Sequence, residues 1–262
     1  MASLFDLTGK VAVITGSSKG IGRAIAERMA EHGAKVVVSS RKQDGCDVVT
    51  NAINAAGGTA VTKTCNIGRK DELQALVDFA IATYGRIDIL VGNAAVNPFY
   101  GLSADIPDDA WDRVMNSNIR SNHWLCNMVL PGMAANGGGA VIVVSSIGGL
   151  KGSTHLGAYA ISKAADMQLV RNLACEWGPK NIRVNAIAPG LIKTDFARAL
   201  WENPANAKRR SRTTPLQRIG EPDEIAGAAV YLASPAGSFT TGQTMVIDGG
   251  VTCGAPALGD DD

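Results

Sequence analysis

This sequence has almost equal numbers of positive and negative charges. It holds 25 Lys and Arg residues against 24 Asp and Glu residues, for a net charge of +1. Proteins that bind nucleic acid or an anionic membrane surface through charge usually carry a basic excess. No apolar run reaches the roughly 18 residues that a membrane span needs, and the first residues lack a secretory signal pattern. We therefore expect neither nucleic acid nor a membrane as partner.

Cysteine and histidine are also scarce. The chain has five scattered cysteines, no C-x-x-C pair and three histidines that lie far apart. This pattern excludes a disulfide framework and offers no metal-ligand spacing. We expect a reducing compartment, the cytoplasm, and no metal ion. The segment 254–262 ends in three aspartates, is predicted to be a disordered acidic tail, and carries no peroxisomal signal.

Short apolar, β-branched runs alternate with helical patterns along the chain. Seven runs are predicted to be strands, at residues 11–14, 35–39, 60–64, 87–91, 141–144, 182–187 and 244–248. Long helices are predicted at about 108–133 and 221–232. Nearly all-apolar strands with helices between them indicate a parallel sheet covered on both faces. We predict one α/β domain over residues 1–262, without internal linkers or repeats.

A glycine-rich turn, Thr15-Gly-Ser-Ser-Lys-Gly-Ile-Gly22, joins the first predicted strand to the first helix. Such a turn lets the backbone approach a pyrophosphate, and the helix N-terminus supplies N–H groups and a positive dipole end. The alternative is an ordinary tight connection. Because the turn follows the first strand of an α/β chain, its position favours a dinucleotide site.

The residues after the second strand favour NADP(H) over NAD(H). An NAD site usually has an acidic residue about 20 residues beyond the turn, but here no carboxylate occurs before Asp44. Ser40, Arg41 and Lys19 could instead contact a 2′-phosphate, which matches the arginine fork. The alternative is that Arg41 only begins a solvated loop. We predict NADP(H) as the cofactor.

Tyr159 and Lys163 are four residues apart, with Ser146 thirteen residues before the tyrosine. Residues at this spacing share a helix face. An ammonium group beside a phenol stabilises the phenolate, and a serine hydroxyl at a neighbouring strand end could hold a substrate oxygen. The spacing alone favours the alternative, an exposed helix face with a solvated lysine. The dinucleotide turn in the same chain makes the proton-transfer interpretation the favoured one.

These motifs together resemble the short-chain dehydrogenase/reductase family in its compact form, over Leu7–Gly250. A closer likeness, in 93–99 and 189–194, is to NADPH-dependent carbonyl reductases of the retinol dehydrogenase/reductase type. The motifs are T-G-x-x-x-G-I-G at 15–22, N-A-A at 93–95, Asn118, Ser146, Y-x-x-x-K at 159–163, N-x-x-x-P-G at 185–190 and I-x-T at 192–194. The resemblance implies a Rossmann-type doubly wound sheet and commonly a homotetramer.

The resemblance also implies catalytic roles. Tyr159 would donate a proton to a carbonyl oxygen, Lys163 would support the tyrosine and bind the nicotinamide ribose, and Ser146 would hydrogen-bond the substrate oxygen. Ser145 is the rival serine, but the thirteen-residue offset selects Ser146. Asn118 would distort its helix and hold a water that leads to Lys163. The alternative for Asn118 is a core asparagine whose hydrogen bonds are all made within the protein.

The resemblance places the cofactor along the ends of the strands. The implied cofactor-binding residues are Gly16, Ser18, Lys19, Gly20, Ile21, Gly22, Ser40, Arg41, Asn66, Ile67, Asn93, Ala94, Tyr159, Lys163, Pro189, Gly190, Ile192 and Thr194. Two positions depart from the family pattern. Asn66 stands where an aspartate commonly meets the adenine amino group, and Ala95 replaces a glycine. The asparagine carbonyl could still accept that hydrogen bond.

The segment 193–217 is expected to be a mobile substrate lid. Phe196 and Trp201, with Phe99 from across the site, would meet a small to medium, apolar ketone or secondary alcohol beside Ser146 and Tyr159. The basic cluster 208–212 could attract an anionic substrate, although a solvated helix face is the simpler interpretation.

Two other functions remain as alternatives. Sugar-nucleotide epimerases and dehydratases share Y-x-x-x-K, but they are longer and carry the glycine spacing T-G-x-x-G-x-x-G. A non-catalytic protein that binds or senses NADP(H) could keep the same fold. The intact set of Asn118, Ser146, Tyr159 and Lys163 gives no reason to prefer it.

Overall fold

The apolar runs form a parallel sheet because a strand with side chains buried on both faces needs no polar alternation. The computed structural model describes residues 3–254, so all of the predicted acidic tail except residue 254 lies outside the described residues. The strands are β1 (Val11–Thr15), β2 (Lys35–Ser39), β3 (Thr59–Thr62), β4 (Ile89–Gly92), β5 (Gly139–Val144), β6 (Ile182–Pro189) and β7 (Thr244–Ile247). Each observed strand begins and ends within two residues of its prediction.

All seven strands are parallel, in the order β3-β2-β1-β4-β5-β6-β7. The prediction of a Rossmann-type doubly wound sheet is confirmed. The chain order reverses between β1 and β4, which pair directly. At such a switch point the connections leave in opposite directions and open a crevice at the carboxyl ends of the strands.

The helices cover both faces. They are α1 (Gly20–Glu31), α2 (Gln43–Ala55), α3 (Lys70–Tyr84), α4 (Asp108–Val114), α5 (Ser121–Ala135), α6 (Gly157–Trp177), α7 (Arg198–Trp201), α8 (Pro204–Arg212) and α9 (Pro222–Ala233). The sequence analysis missed α2, although Cys46, Val49 and Ile53 recur at helical spacing and are buried. The lid contains two short helices, α7 and α8.

Successive side chains of each strand point to opposite faces of the sheet, so the core consists of two layers. Ala12 and Ile14 pack on one face with residues of α1 and α9, whereas Val13 packs on the other with residues of α3, α5 and α6. Met167 and Val170 of α6 are buried in the second layer. They therefore stabilise the domain itself, and the predicted homotetramer gains no support from them.

A π-helical segment, Met115–Arg120, interrupts the predicted helix at 108–133. α4, this segment and α5 follow one another without an intervening loop, from residue 108 to residue 135. The predicted helix is therefore present, with a π-helical segment within it. Single-turn π segments inside α-helices occur frequently at functional sites. Here the segment includes Asn118, whose side chain is completely buried. No helix within residues 3–254 is long and apolar enough to span a bilayer.

Candidate active site

The carboxyl ends of the strands border a cleft of about 1560 Å³. All of the predicted cofactor-binding residues line it, from Gly16 in the turn after β1 to Thr194 after β6. Of the predicted catalytic residues, Ser146, Tyr159 and Lys163 line the same cleft, while Asn118 lies behind its wall. The tertiary structure thus brings together residues that are up to 178 positions apart.

The glycine turn is held rigidly against β4. Gly16 has a φ of +67°, which favours glycine. A Cβ at Gly22 would stand 2.4 Å from the carbonyl oxygen of Gly16, so this close approach requires glycine. The Asn93 amide donates to the carbonyl oxygens of Thr15 and Gly16 at 2.9 and 3.2 Å. The open backbone at the N-terminus of α1 fits a pyrophosphate.

The end of β2 presents a free cation to the cleft. Arg41 is exposed, lines the cleft and has no side-chain partner among the described residues. Lys19, which was also predicted to meet the 2′-phosphate, lines the cleft, and its Nζ lies 3.4 Å from Oδ2 of Asp195 at the start of the predicted lid. Arg198 also binds Asp195, at 2.6 Å, and these contacts lower the pKa of the Asp195 carboxyl. The ion pair connects the glycine turn to the lid.

Asn66 follows β3 at the expected adenine end of the cleft. Its Oδ1 accepts a hydrogen bond from the backbone N–H of Gly68 at 3.1 Å. A carbonyl oxygen has two lone pairs, so one remains for a second donor. The asparagine that replaces the family's aspartate therefore keeps an acceptor at this position.

The two adjacent serines after β5 point in different directions. Ser145 is buried, and its hydroxyl donates to the backbone oxygen of Lys163 at 2.7 Å. Ser146 lines the cleft, and its Oγ accepts from the N–H of Gly148 at 3.0 Å. The Ser146 hydroxyl therefore keeps its hydrogen for a ligand. This geometry favours Ser146 as the group that meets a substrate oxygen.

Tyr159 and Lys163 lie on the first turns of α6, facing the cleft. The Lys163 Nζ is 5.9 Å from the centre of the Tyr159 ring. Lys163 is only 2% exposed and donates to the backbone oxygen of Val144 at 2.8 Å and to Oδ2 of Asp166 at 3.1 Å. An ammonium group has three hydrogens, so one remains for the cleft.

Asn118 is completely buried, and its side chain makes three hydrogen bonds within the protein. The carboxamide accepts from the backbone N–H of Val96 at 2.8 Å and donates to the Val96 oxygen and to Oγ of Ser162, both at 3.0 Å. Both amide hydrogens are therefore used within the protein. The side chain connects the segment after β4 to α6, which agrees with the alternative of a core asparagine. The predicted helix distortion is present, and the water-holding role stays a prediction.

Two polar residues that the sequence analysis missed lie beneath the site. Asp166 and Asn122 are buried, and the Asn122 amide donates to Oδ1 of Asp166 at 2.9 Å. A signal was available, because Tyr159, Lys163 and Asp166 recur at i, i+4 and i+7 and so share one helix face.

The predicted lid, segment 193–217, meets the tyrosine through Phe196. The Phe196 ring lies 6.1 Å from that of Tyr159, and both line the cleft. The two other residues that were predicted to contact a substrate have neighbours within the protein. Trp201 donates its indole N–H to the backbone oxygen of Thr194 at 3.0 Å and serves the lid's own structure. Phe99 packs over Gly101, and neither it nor Trp201 belongs to the described cleft lining.

The charged residues that line the cleft are almost all basic. Asp195 is the one acidic residue among the described lining residues, against eight basic ones. Arg209 and Arg210 of α8 belong to this lining and are exposed, whereas Lys208 beside them does not reach it. Within residues 3–254, no group of three or more His, Cys, Asp or Glu side chains could hold a metal ion.

Comparison with known sequences shows the family. A family model described as enoyl-(acyl carrier protein) reductase matches residues 16–252. Dehydrogenase/reductase SDR family member 4 from Bos taurus is 42% identical over 250 residues, which cover 95% of this chain and 90% of the relative. The protein of the same name from Oryctolagus cuniculus is 43% identical over 244 residues, with coverage of 93% and 94%.

Solved structures agree in fold. A 7α-hydroxysteroid dehydrogenase in complex with NADH and 7-oxo glycochenodeoxycholic acid is similar with a TM-score of 0.92 and 39% identity, covering 99% of this chain and 100% of the other. A gluconate 5-dehydrogenase from Burkholderia cenocepacia J2315 in complex with NADP and tartrate has a TM-score of 0.91 and 33% identity, with coverage of 96% and 98%. On the family match, the identities and the geometry of the cleft, this chain belongs to the short-chain dehydrogenase/reductase family of oxidoreductases.

Proposed function

We propose that this protein is an NADP(H)-dependent carbonyl reductase, which also oxidises the corresponding secondary alcohol. The observation that carries the proposal is the placement of Tyr159 and Ser146 in the same cleft as the glycine turn, with Lys163 buried beneath the tyrosine. A binding or sensing protein has no need of a proton donor and a second hydroxyl at the inner end of its cofactor cleft.

Each of the residues at the inner end of the cleft has a separate role in the proposed reaction. NADPH, when bound, supplies the hydride. The Ser146 hydroxyl, whose oxygen is held by Gly148, donates a hydrogen bond to the carbonyl oxygen and orients it. Tyr159 gives its phenolic proton to the same oxygen, and the ammonium of Lys163 stabilises the phenolate that remains. Phe196 lies beside the tyrosine and offers an apolar surface to the substrate.

The cofactor would be held by backbone and side chains of the loops that follow the strands. The N-terminus of α1 would meet the pyrophosphate, and Ser40 with Arg41 would meet the 2′-phosphate. The backbone of Ile192 and the hydroxyl of Thr194 would meet the nicotinamide carboxamide. The similar structures contain NADH in one case and NADP in another, so the shared fold leaves the choice to these side chains.

The preference for NADPH depends on Arg41. Replacement of Arg41 by Ala is expected to raise the KM for NADPH about 10- to 100-fold and to leave the KM for NADH within about twofold. A hydrogen bond to a charged group contributes about 1.5–3 kcal/mol, and NADH has no 2′-phosphate to lose. Initial rates with both coenzymes on one ketone measure the effect.

Lys42→Ala is the matched control. Lys42 is the next residue and equally exposed, but it does not belong to the described cleft lining. It should leave both KM values unchanged. An unaltered enzyme that prefers NADH, or an equal loss for both coenzymes in Arg41→Ala, would contradict the assignment.

The basic wall of the cleft favours a substrate with an anionic group. In the double variant Arg209→Gln, Arg210→Gln, the KM for a ketone that carries a carboxylate is expected to rise about fivefold, since two exposed charge pairs contribute roughly 0.5 kcal/mol each. The KM for a neutral ketone of the same size should not change. Lys208→Gln removes a neighbouring charge outside the described cleft lining and is the control. Equal effects on the KM values of both ketones would contradict an anionic substrate and would support the interpretation of α8 as a solvated helix.

A further inference from the structure

A buried ion pair lies under the proposed reaction centre. Lys163 is 2% exposed and Asp166 is 0% exposed, and Nζ lies 3.1 Å from Oδ2. The two residues are three apart on α6, so their side chains meet on one face. A charge buried without a partner would cost several kcal/mol. The carboxylate therefore supplies what the lysine needs to stay charged away from water.

The carboxylate is itself held in place from α5. The Asn122 amide donates one hydrogen to Oδ1 of Asp166 and the other to the backbone oxygen of Asn118, both at 2.9 Å. An unbroken series of hydrogen bonds thus runs from the π-helical segment through Asn122 and Asp166 to Lys163. Both oxygens of Asp166 and both amide hydrogens of Asn122 have protein partners.

The electrostatics of the pair agree with this geometry. Burial lowers the pKa of Lys163, but the Asp166 carboxylate and Tyr159 raise it, and the net direction is upward. Burial raises the pKa of Asp166 more than Lys163 and Asn122 lower it, so its net direction is also upward.

On α5, Cys126 lies near Asp166, and its burial and this proximity raise its pKa to about 12. His123 of the same helix is exposed and pairs with Asn127, and Arg120 of the π-helical segment lies over the Trp124 ring. The groups that contact the pair from β5 and from the π-helical segment are neutral, the carbonyl oxygen of Val144 and, through Asn122, that of Asn118.

We propose that Asp166 is a positioning residue for the reaction, which keeps Lys163 protonated and fixed beneath Tyr159, and that Asn122 orients its carboxylate. The proposal rests on the proposed function of Tyr159 and Lys163. Its consequence is that the enzyme keeps the lysine's positive charge at alkaline pH, where a buried lysine without a partner would lose its proton.

The pH profile of carbonyl reduction tests the proposal. Asp166→Asn keeps the shape of the side chain but removes the charge, so burial alone acts on Lys163 and its proton leaves at lower pH. The alkaline limb of kcat/KM is then expected to move to lower pH by about one unit or more. A lower rate at every pH with the limb unmoved would overturn the proposal, because a merely structural residue would give that result.

Asn122→Ala is the matched control. It removes the hydrogen bond to Oδ1 but leaves the charge of Asp166 in place. We expect a lower kcat with the alkaline limb unmoved. A shift as large as that of Asp166→Asn would contradict the assignment of the effect to the charge.

A second measurement needs neither substrate nor cofactor. In protein labelled with ¹³Cε-lysine, the Lys163 signal, assigned by its loss in Lys163→Met, should titrate above the ordinary range of a lysine in the unaltered protein and at clearly lower pH in Asp166→Asn. Titration below the ordinary range of a lysine in the unaltered protein would overturn the proposal even if Asp166→Asn does not fold. An absence of turnover on every carbonyl would refute the proposed function alone, and the lysine titration would still decide the role of Asp166.

Discussion

Replacement of Tyr159 by Phe is expected to lower turnover about 10²- to 10⁴-fold, the range that a positioned general acid contributes. Phenylalanine keeps the ring, its contact with Phe196 and its place above Lys163. The variant loses only the hydroxyl that would give a proton to the carbonyl oxygen. Since the adenine end of the cleft and the glycine turn are untouched, the Kd for NADPH should stay within about threefold.

Steady-state reduction of a ketone panel and a fluorescence titration with NADPH measure the two quantities separately. Tyr100→Phe is the matched control, because Tyr100 also lines the cleft but stacks on His155 with its ring centre 5.2 Å away. It loses a hydroxyl in the same cleft and should keep its activity. If Tyr159→Phe retained more than about a tenth of the activity, its role as the proton donor would be refuted.

Replacement of Asn118 by Leu is expected to lower the free energy of unfolding by about 2–4 kcal/mol. Leucine has the same branched arrangement of four side-chain heavy atoms as asparagine but leaves the N–H and C=O of Val96 without the partners that Asn118 supplies at 2.8 and 3.0 Å. Each partly buried group without a partner costs about 1–3 kcal/mol. The connection from β4 to the cleft should loosen as well, so turnover should fall together with stability.

Urea unfolding of the cofactor-free protein, followed by circular dichroism, measures this loss. Asn116→Leu is the control, because Asn116 lies in the same π-helical segment with no side-chain hydrogen bond among the described residues. It should shift stability by less than about 0.5 kcal/mol. A loss below about 1 kcal/mol in Asn118→Leu would show that Asn118 does not clamp the structure and would restore a purely catalytic interpretation.

Much of the fold and of the cofactor cleft was accessible from the chain itself, because their signals are local. The β-branched runs of β1 and β2 and the glycine spacing at 15–22 report backbone conformation, which depends mainly on neighbouring residues. The partner that a polar side chain finds in an ion pair or hydrogen bond is not specified by neighbouring residues in the sequence. Lys19, which was predicted to meet a phosphate, forms an ion pair with Asp195, 176 residues away. Trp201, which was predicted to meet a substrate, donates its indole N–H to the backbone oxygen of Thr194.

The sequence by itself determined a doubly wound parallel sheet, a dinucleotide turn at its centre and a tyrosine–lysine pair on one helix face, since periodicity and turn chemistry specify these. Only the tertiary structure decided how the polar groups around that pair are satisfied. It turned Ser145 into the core and Ser146 into the cleft, used the Asn118 amide to clamp Val96, and placed Asp166 against Lys163. The physical reason is that a buried polar group must find its partner on whichever element packs against it.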